Sequence, residues 1–225
     1  MHIAGFQKQS LIDYPGNISS VIFTQGCNFR CGYCHNPTLV LPEYFEANIN
    51  PNEILTYIKK YQNLLNAVVI TGGEPTIHRD LPEFITKLKE LGLKVKLDTN
   101  GTHPHVLRKL IDAKLIDFVA MDIKHILSLK QYNKSVGNIL TKEIFQKVIY
   151  SIAMIKQSGL EHEFRTTIVK GLHTIDEIRS LKLQFSPNYK IQNYKPGKTL
   201  NPQSLFASFP DEELKLMDQI CSITY

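Results

Sequence analysis

Short apolar runs alternate along this chain with longer stretches whose apolar positions recur at helical spacing. Residues 18–24, 67–71, 94–98, 117–121, 163–169 and 190–194 are short runs rich in β-branched, aliphatic or aromatic residues and read as strands. Helical periodicity fills the intervals over 51–63, 80–91, 104–114, 141–158 and 174–183. Asp80 reads as a cap with Pro82 in the first turn behind it, and Gly92 and Gly159 stop two of these helices. A closing helix is predicted over 210–222, with Asp211 and two glutamates in its first turn. About six strand–helix units in this order imply a parallel sheet joined by right-handed crossovers. The fold class is therefore α/β, with a doubly wound sheet and a partial barrel both open. The polar motifs described below follow the C-terminal ends of successive strands, where a barrel keeps its active site. Residues 186–209, rich in Pro, Asn and Ser, read as a strand and a long mobile loop.

A chain of 225 residues can bury one sizeable core, so residues 1–225 are expected to form a single domain. No apolar run approaches the roughly 20 residues that span a bilayer, and no charged-then-apolar leader precedes the first strand. A cytoplasmic protein without a membrane partner is the expectation. The formal charge of +5 is scattered, with no arginine-rich arm, which argues against nucleic acid. A field of that sign suits an anionic nucleotide cofactor or an acidic partner surface.

Chemistry is concentrated in residues 26–37, where Cys27, Cys31 and Cys34 stand at CxxxCxxC spacing. Three thiolates can converge on one soft metal centre. They are one too few for a closed zinc site and one too few to ligate every iron of a four-iron cluster. That suggests a [4Fe–4S] cluster with one iron left for a non-protein ligand. A zinc site completed by His35 is the alternative from spacing alone. A disulfide framework is disfavoured, since the chain has four cysteines and three crowd one loop. Cys221 reads as a packed thiol.

Three further motifs follow strands. In Gly72-Gly73-Glu74-Pro75 the glycines let the backbone approach a ligand and Glu74 adds a carboxylate, although a plain turn has the same composition. Asp98-Thr99-Asn100-Gly101 is either a structural turn or a patch of acceptors suited to hydroxyls, an ammonium or a small cation. Asp122 and Lys124 share a side by period-two alternation. Arg165 offers a bidentate fork, where an ordinary strand arginine would be an exposed edge residue.

The cysteine spacing, with Tyr33 between the last two cysteines, resembles the radical S-adenosylmethionine (radical SAM) superfamily. The string from Ser10-Leu11-Ile12-Asp13-Tyr14-Pro15-Gly16 to Tyr33-Cys34-His35-Asn36-Pro37 resembles the activating enzymes of glycyl radical enzymes. Among these it is most similar to the compact activators of anaerobic ribonucleoside-triphosphate reductase. The resemblance implies an open partial (β/α)6 barrel, with the cluster loop at 26–37 and a C-terminal loop and helix at 195–225. It implies one [4Fe–4S] cluster on Cys27, Cys31 and Cys34, with S-adenosylmethionine on the fourth iron. Tyr33 would lie under the adenine, and Gly72, Gly73, Glu74 and Pro75 would hold the methionine amino group. Asp98, Thr99 and Asn100 would flank the ribose and methionine, and Lys124 and Arg165 would meet the carboxylate. Asp98, Thr99 and Asp122 match residues that hold a monovalent cation in relatives.

A flavodoxin or ferredoxin would deliver one electron, S-adenosylmethionine would be cleaved, and a hydrogen atom would leave a glycine of the partner enzyme. Lys195 departs from the histidine that some activators carry, and Asp13 is a candidate near the active site. No segment supplies the eight further cysteines of the longer activators. The competing readings are a pyruvate formate-lyase-like target, a small-molecule substrate such as a deazaguanine precursor, and a zinc-stabilised binding module.

Overall fold

The computed structural model describes residues 1–201 and 206–219. Cys221 and the last residues of the expected closing helix lie outside the described residues. Among the described residues there are seven strands: β1 (Ile3–Ser10), β2 (Ser19–Thr24), β3 (Ala67–Gly72), β4 (Lys94–Thr99), β5 (Phe118–Asp122), β6 (Glu161–Ile168) and β7 (Tyr189–Asn193). Eight α-helices accompany them among the described residues: α1 (Pro37–Val40), α2 (Pro51–Tyr61), α3 (Leu81–Glu90), α4 (Pro104–Asp112), α5 (Leu129–Ser135), α6 (Lys142–Gln157), α7 (Ile175–Phe185) and α8 (Asp211–Gln219).

The strands follow one another in the sheet in chain order, and the sheet stays open. β2 through β5 pair in parallel, as do β6 and β7, while β1 lies antiparallel on β2. The six strands read from the sequence are β2 to β7, and the α/β fold class with an open partial barrel stands. β1 is the addition.

The chain divides into two compact units. The first comprises Met1–Asn28, Asn36–Met121 and Glu143–His162. Its strands carry two faces of different character. On one face Ile22, Val68, Ile70, Val95, Leu97, Val119 and Met121 are fully buried. Each such side chain taken out of water is worth about 1.5–3 kcal/mol. On the other face Val21, Val69, Lys96 and Phe118 are register partners across four strands. Tyr14 packs on this row, with its ring 5.7 Å from that of Phe118. The turn holding Tyr14 is closed by Ser10 Oγ donating to Asp13 Oδ2 and by Asn17 N donating to Tyr14 O. Asp13 thus accepts a hydrogen bond within its own turn.

The second unit comprises Phe29–His35, Asp122–Lys142 and the chain from Glu163 onward. Ile168, Ile178 and Phe209 form one of its core clusters. α7 is opened by a full capping box, in which Thr174 and Glu177 bond each other's backbone N–H groups. Among the described residues no helix is long and apolar enough to cross a membrane.

Candidate functional site: the cysteine loop and the strand-end motifs

Within the second unit, the stretch 29–35 is braced by backbone hydrogen bonds. Arg30 N donates to Val136 O at 3.0 Å, and a side chain at Gly137 (φ +88°) would collide with Arg30 O. α5 and the turn after it therefore act as a footing for the loop. From the C-terminal side Leu200 N donates to Cys34 O and Asn201 N to Gly32 O, each at 2.9 Å. The ring of His35 stacks on that of Tyr194 at 5.2 Å, and its Nδ1 lies 3.4 Å from Lys198 O. His35 is a loop-shaping group here. Tyr33 is buried, with its ring edge-on to Phe206 at 6.1 Å. The stretch 194–201, expected to be a mobile loop, thus lies hydrogen-bonded along the cysteine loop.

Among the described residues there is no disulfide. Cys31 is buried, and Cys27 and Cys34 are half-buried. Burial pushes the Cys31 thiol up to about 11, against the pull of the Lys124 cation. A soft metal takes the place of such a proton on binding, so the donor set suits an iron–sulfur cluster. Among the described residues no three His, Cys, Asp or Glu side chains are gathered to metal-binding spacing. What the loop offers is donor chemistry.

Close to Cys31 in the same unit is a charged cluster. The Asp122 carboxylate accepts from Lys124 Nζ at 2.9 Å and from Arg165 Nε at 3.1 Å. Burial alone would raise its pKa, but Lys124 and Arg165 override that and hold it down at about 2. Two cations share this one carboxylate, which favours an anionic ligand group beside them. The backbone of this motif is fixed by a buried histidine pair. His173 accepts from Val169 N through Nδ1, so its Nε2 donates to Lys124 O at 3.1 Å. His125 stacks on His173 with ring centres 4.5 Å apart.

In the first unit, the other two motifs are tied together by Glu74. Its backbone N donates to Gly26 O, just ahead of Cys27. Its carboxylate is fully enclosed and accepts from Thr76 N, Thr76 Oγ1, Thr99 Oγ1 and Asn100 N, the last at 2.6 Å. Burial raises the Glu74 carboxyl above its ordinary range despite these donors. A Cβ at Gly73 would stand 2.0 Å from Gly26 O, so only glycine allows this approach. Asn28 extends the network, accepting from Asn100 Nδ2 and donating to Thr102 Oγ1, each at 2.8 Å.

The radical SAM superfamily model matches residues 21–183. This chain belongs to the radical SAM superfamily. It is 34% identical over 223 residues to a Methanocaldococcus jannaschii protein named as a glycyl-radical enzyme activating enzyme, covering 97% of this chain and 90% of the relative. It is 33% identical over 135 residues to the pyruvate formate-lyase-activating enzyme of Staphylococcus aureus, covering 56% of this chain and 53% of that one. Its family is thus that of the glycyl-radical enzyme activating enzymes. Among solved structures, Streptococcus suis SuiB bound to S-adenosylmethionine superposes with a TM-score of 0.69 at 18% identity. That match covers 90% of this chain and 46% of SuiB, so the chain spans just under half of that protein, and the likeness is one of fold.

As a radical SAM enzyme, the chain uses S-adenosylmethionine and an iron–sulfur cluster. The sequence motifs name the candidate residues of this radical SAM chain but not the side chains that brace them. Asn28, Thr76, Thr102, His125, His173 and Lys96 were not singled out. The repeated Thr and His beside the motifs were the available signal. Lys195 is exposed.

Proposed function

We propose that the chain is an activase that installs a glycyl radical on a partner enzyme, with anaerobic ribonucleoside-triphosphate reductase as that partner. In this reading residues 1–225 work as one catalytic domain. Cys27, Cys31 and Cys34 hold a single [4Fe–4S] cluster. Tyr33 packs against the adenine of S-adenosylmethionine. The backbone of Gly72, Gly73, Glu74 and Pro75 approaches the methionine amino group. Asp98, Thr99 and Asn100 line the ribose and methionine, and Asp122 orients Lys124 and Arg165 toward the carboxylate. When bound, the cluster and S-adenosylmethionine would supply the radical chemistry that removes a hydrogen atom from a glycine, the cluster relaying one electron from an external donor. The chain orients these groups and excludes water. Its electron donor is a flavodoxin or ferredoxin.

The observation that carries the reading is the placement of Cys31 beside the Asp122–Lys124–Arg165 cluster, a soft metal donor next to a cationic seat for a carboxylate. The near full-length likeness to a protein named as an activator supports it. A pyruvate formate-lyase-like partner is the second reading, favoured by the Staphylococcus relative.

The test is electron paramagnetic resonance on anaerobic mixtures of cluster-loaded protein, S-adenosylmethionine, reductant and either candidate partner. A glycine-centred doublet with the reductase, absent for Cys31→Ala, is the expected result. A doublet only with pyruvate formate-lyase reassigns the partner. Formation of 5′-deoxyadenosine without a doublet from either points to a small-molecule substrate.

A further inference from the structure

Lys96 lies at the middle of β4 and is only 3% exposed. A buried ammonium persists only where fixed acceptors replace water. Here Nζ donates to Asp13 O at 2.7 Å, lies 3.3 Å from Asp98 Oδ1, and sits 5.7 Å from the centre of the Phe118 ring. Asp98 is two residues on along the strand, on the same side. The chain thus places its own positive charge directly against the carboxylate that opens the Asp98–Asn100 motif.

Asp98, Thr99 and Asp122 are the residues whose resemblance to relatives implies a monovalent cation. Each already faces a protein group, although the contact of Asp98 Oδ1 with Lys96 is an ion pair and not a hydrogen bond. Asp98 has Lys96. The Thr99 hydroxyl donates to Glu74 Oε1 and accepts from Gly101 N. Asp122 has Lys124 and Arg165. A cation seated on Asp98 would sit against a like charge that is locked in place by a backbone carbonyl and an aromatic face. These residues do not fit the ion.

We propose that this enzyme works without a bound monovalent cation because Lys96 supplies the charge at Asp98. Lys96 is then a positioning residue. It holds Asp98 oriented and neutralised from below, and through Asp13 O it pins the 13–16 turn to the same spot. The inference rests on reading Asp98–Asn100 as part of the S-adenosylmethionine site.

The test is the affinity of the cluster-loaded protein for S-adenosylmethionine, measured by anaerobic calorimetry. Choline, sodium and potassium chloride are compared at constant ionic strength. Wild type is expected to bind equally in all three, within about twofold. Lys96→Met is expected to lose about tenfold in choline, the scale of one charge-assisted contact. Sodium or potassium should restore much of that loss along a saturable curve. A second readout needs no cofactor. The melting temperature of the cluster-free Lys96→Met chain should rise on replacing choline by sodium, and that of wild type should not. A wild-type affinity that climbs saturably with sodium or potassium overturns the inference, even if the variant fails to fold. So does a Lys96→Met affinity equal to wild type in choline. Absence of S-adenosylmethionine binding in every salt overturns the underlying reading of the loops and the inference with it.

Discussion

Glu74 shows how one side chain decides a site at the residue scale. Its carboxylate accepts four hydrogen bonds in an enclosed space. A glutamine there turns an acceptor into a donor facing an N–H or a hydroxyl, and a buried mismatch of that kind costs about 1–3 kcal/mol. Glu74→Gln should therefore lower the urea midpoint of unfolding and weaken S-adenosylmethionine binding together. Binding lost with stability unchanged would mean that the carboxylate touches the cofactor directly. His173 makes a second prediction. Burial, followed by the neighbouring His125, lowers it from 6.5 to about 4. Its Nδ1 is committed to accepting from Val169 N, so the folded chain resists protonation there. The unfolded chain binds the extra proton first, and stability must fall as pH drops from about 6.5 toward 4. Urea unfolding at pH 7.5 and at pH 5 should show this loss, and His173→Gln should show less of it. An equal loss in both proteins would remove His173 as its source.

At the scale of elements, the strongest local signals are glycine contacts and caps. Gly73→Ala forces a Cβ against the backbone of Gly26, which cannot move aside as a flexible side chain would. A clear drop in melting temperature and loss of cluster incorporation should follow, read by calorimetry and by iron content. Thr174→Ala removes half of the α7 capping box and should cost about 1 kcal/mol, measured by denaturant unfolding. Legibility in the sequence tracked how much each element explains itself. β3, β4 and β5 are short apolar runs buried in a parallel sheet, and their composition announces them. β1 does not, because its pairing with β2 slips between Ile3 and Gly5 and again between Gln7 and Ser10. The two-residue alternation that marks a strand is broken there, and Gln7, Lys8 and Gln9 are exposed. α5 is seven residues of mostly polar character with only Tyr132 and Ser135 buried. It was illegible because its reason for existing, support of Arg30 through Val136, lies a hundred residues away in sequence. The candidate site divides the same way. Motif residues adjacent in sequence were readable, and their partners across loops were not.

For the molecule as a whole, the economy of cysteine sets the metal content. With Cys27, Cys31 and Cys34 as the cluster ligands, the loaded chain should hold about four irons and four sulfides. Cys221→Ser should leave that content unchanged, whereas Cys31→Ala should abolish it. Iron retained by Cys31→Ala at the wild-type level would mean that the ligand set is wrong. The joint at Glu74 bears on how such a molecule can be changed. Its carboxylate comes from the loop after β3, and two of its donors come from the end of β4 and the loop after it. A strand-and-loop cassette exchanged singly with a relative would import half of a mated pair. The workable unit of recombination in this fold is therefore β3 and β4 with both of their loops, moved as one block.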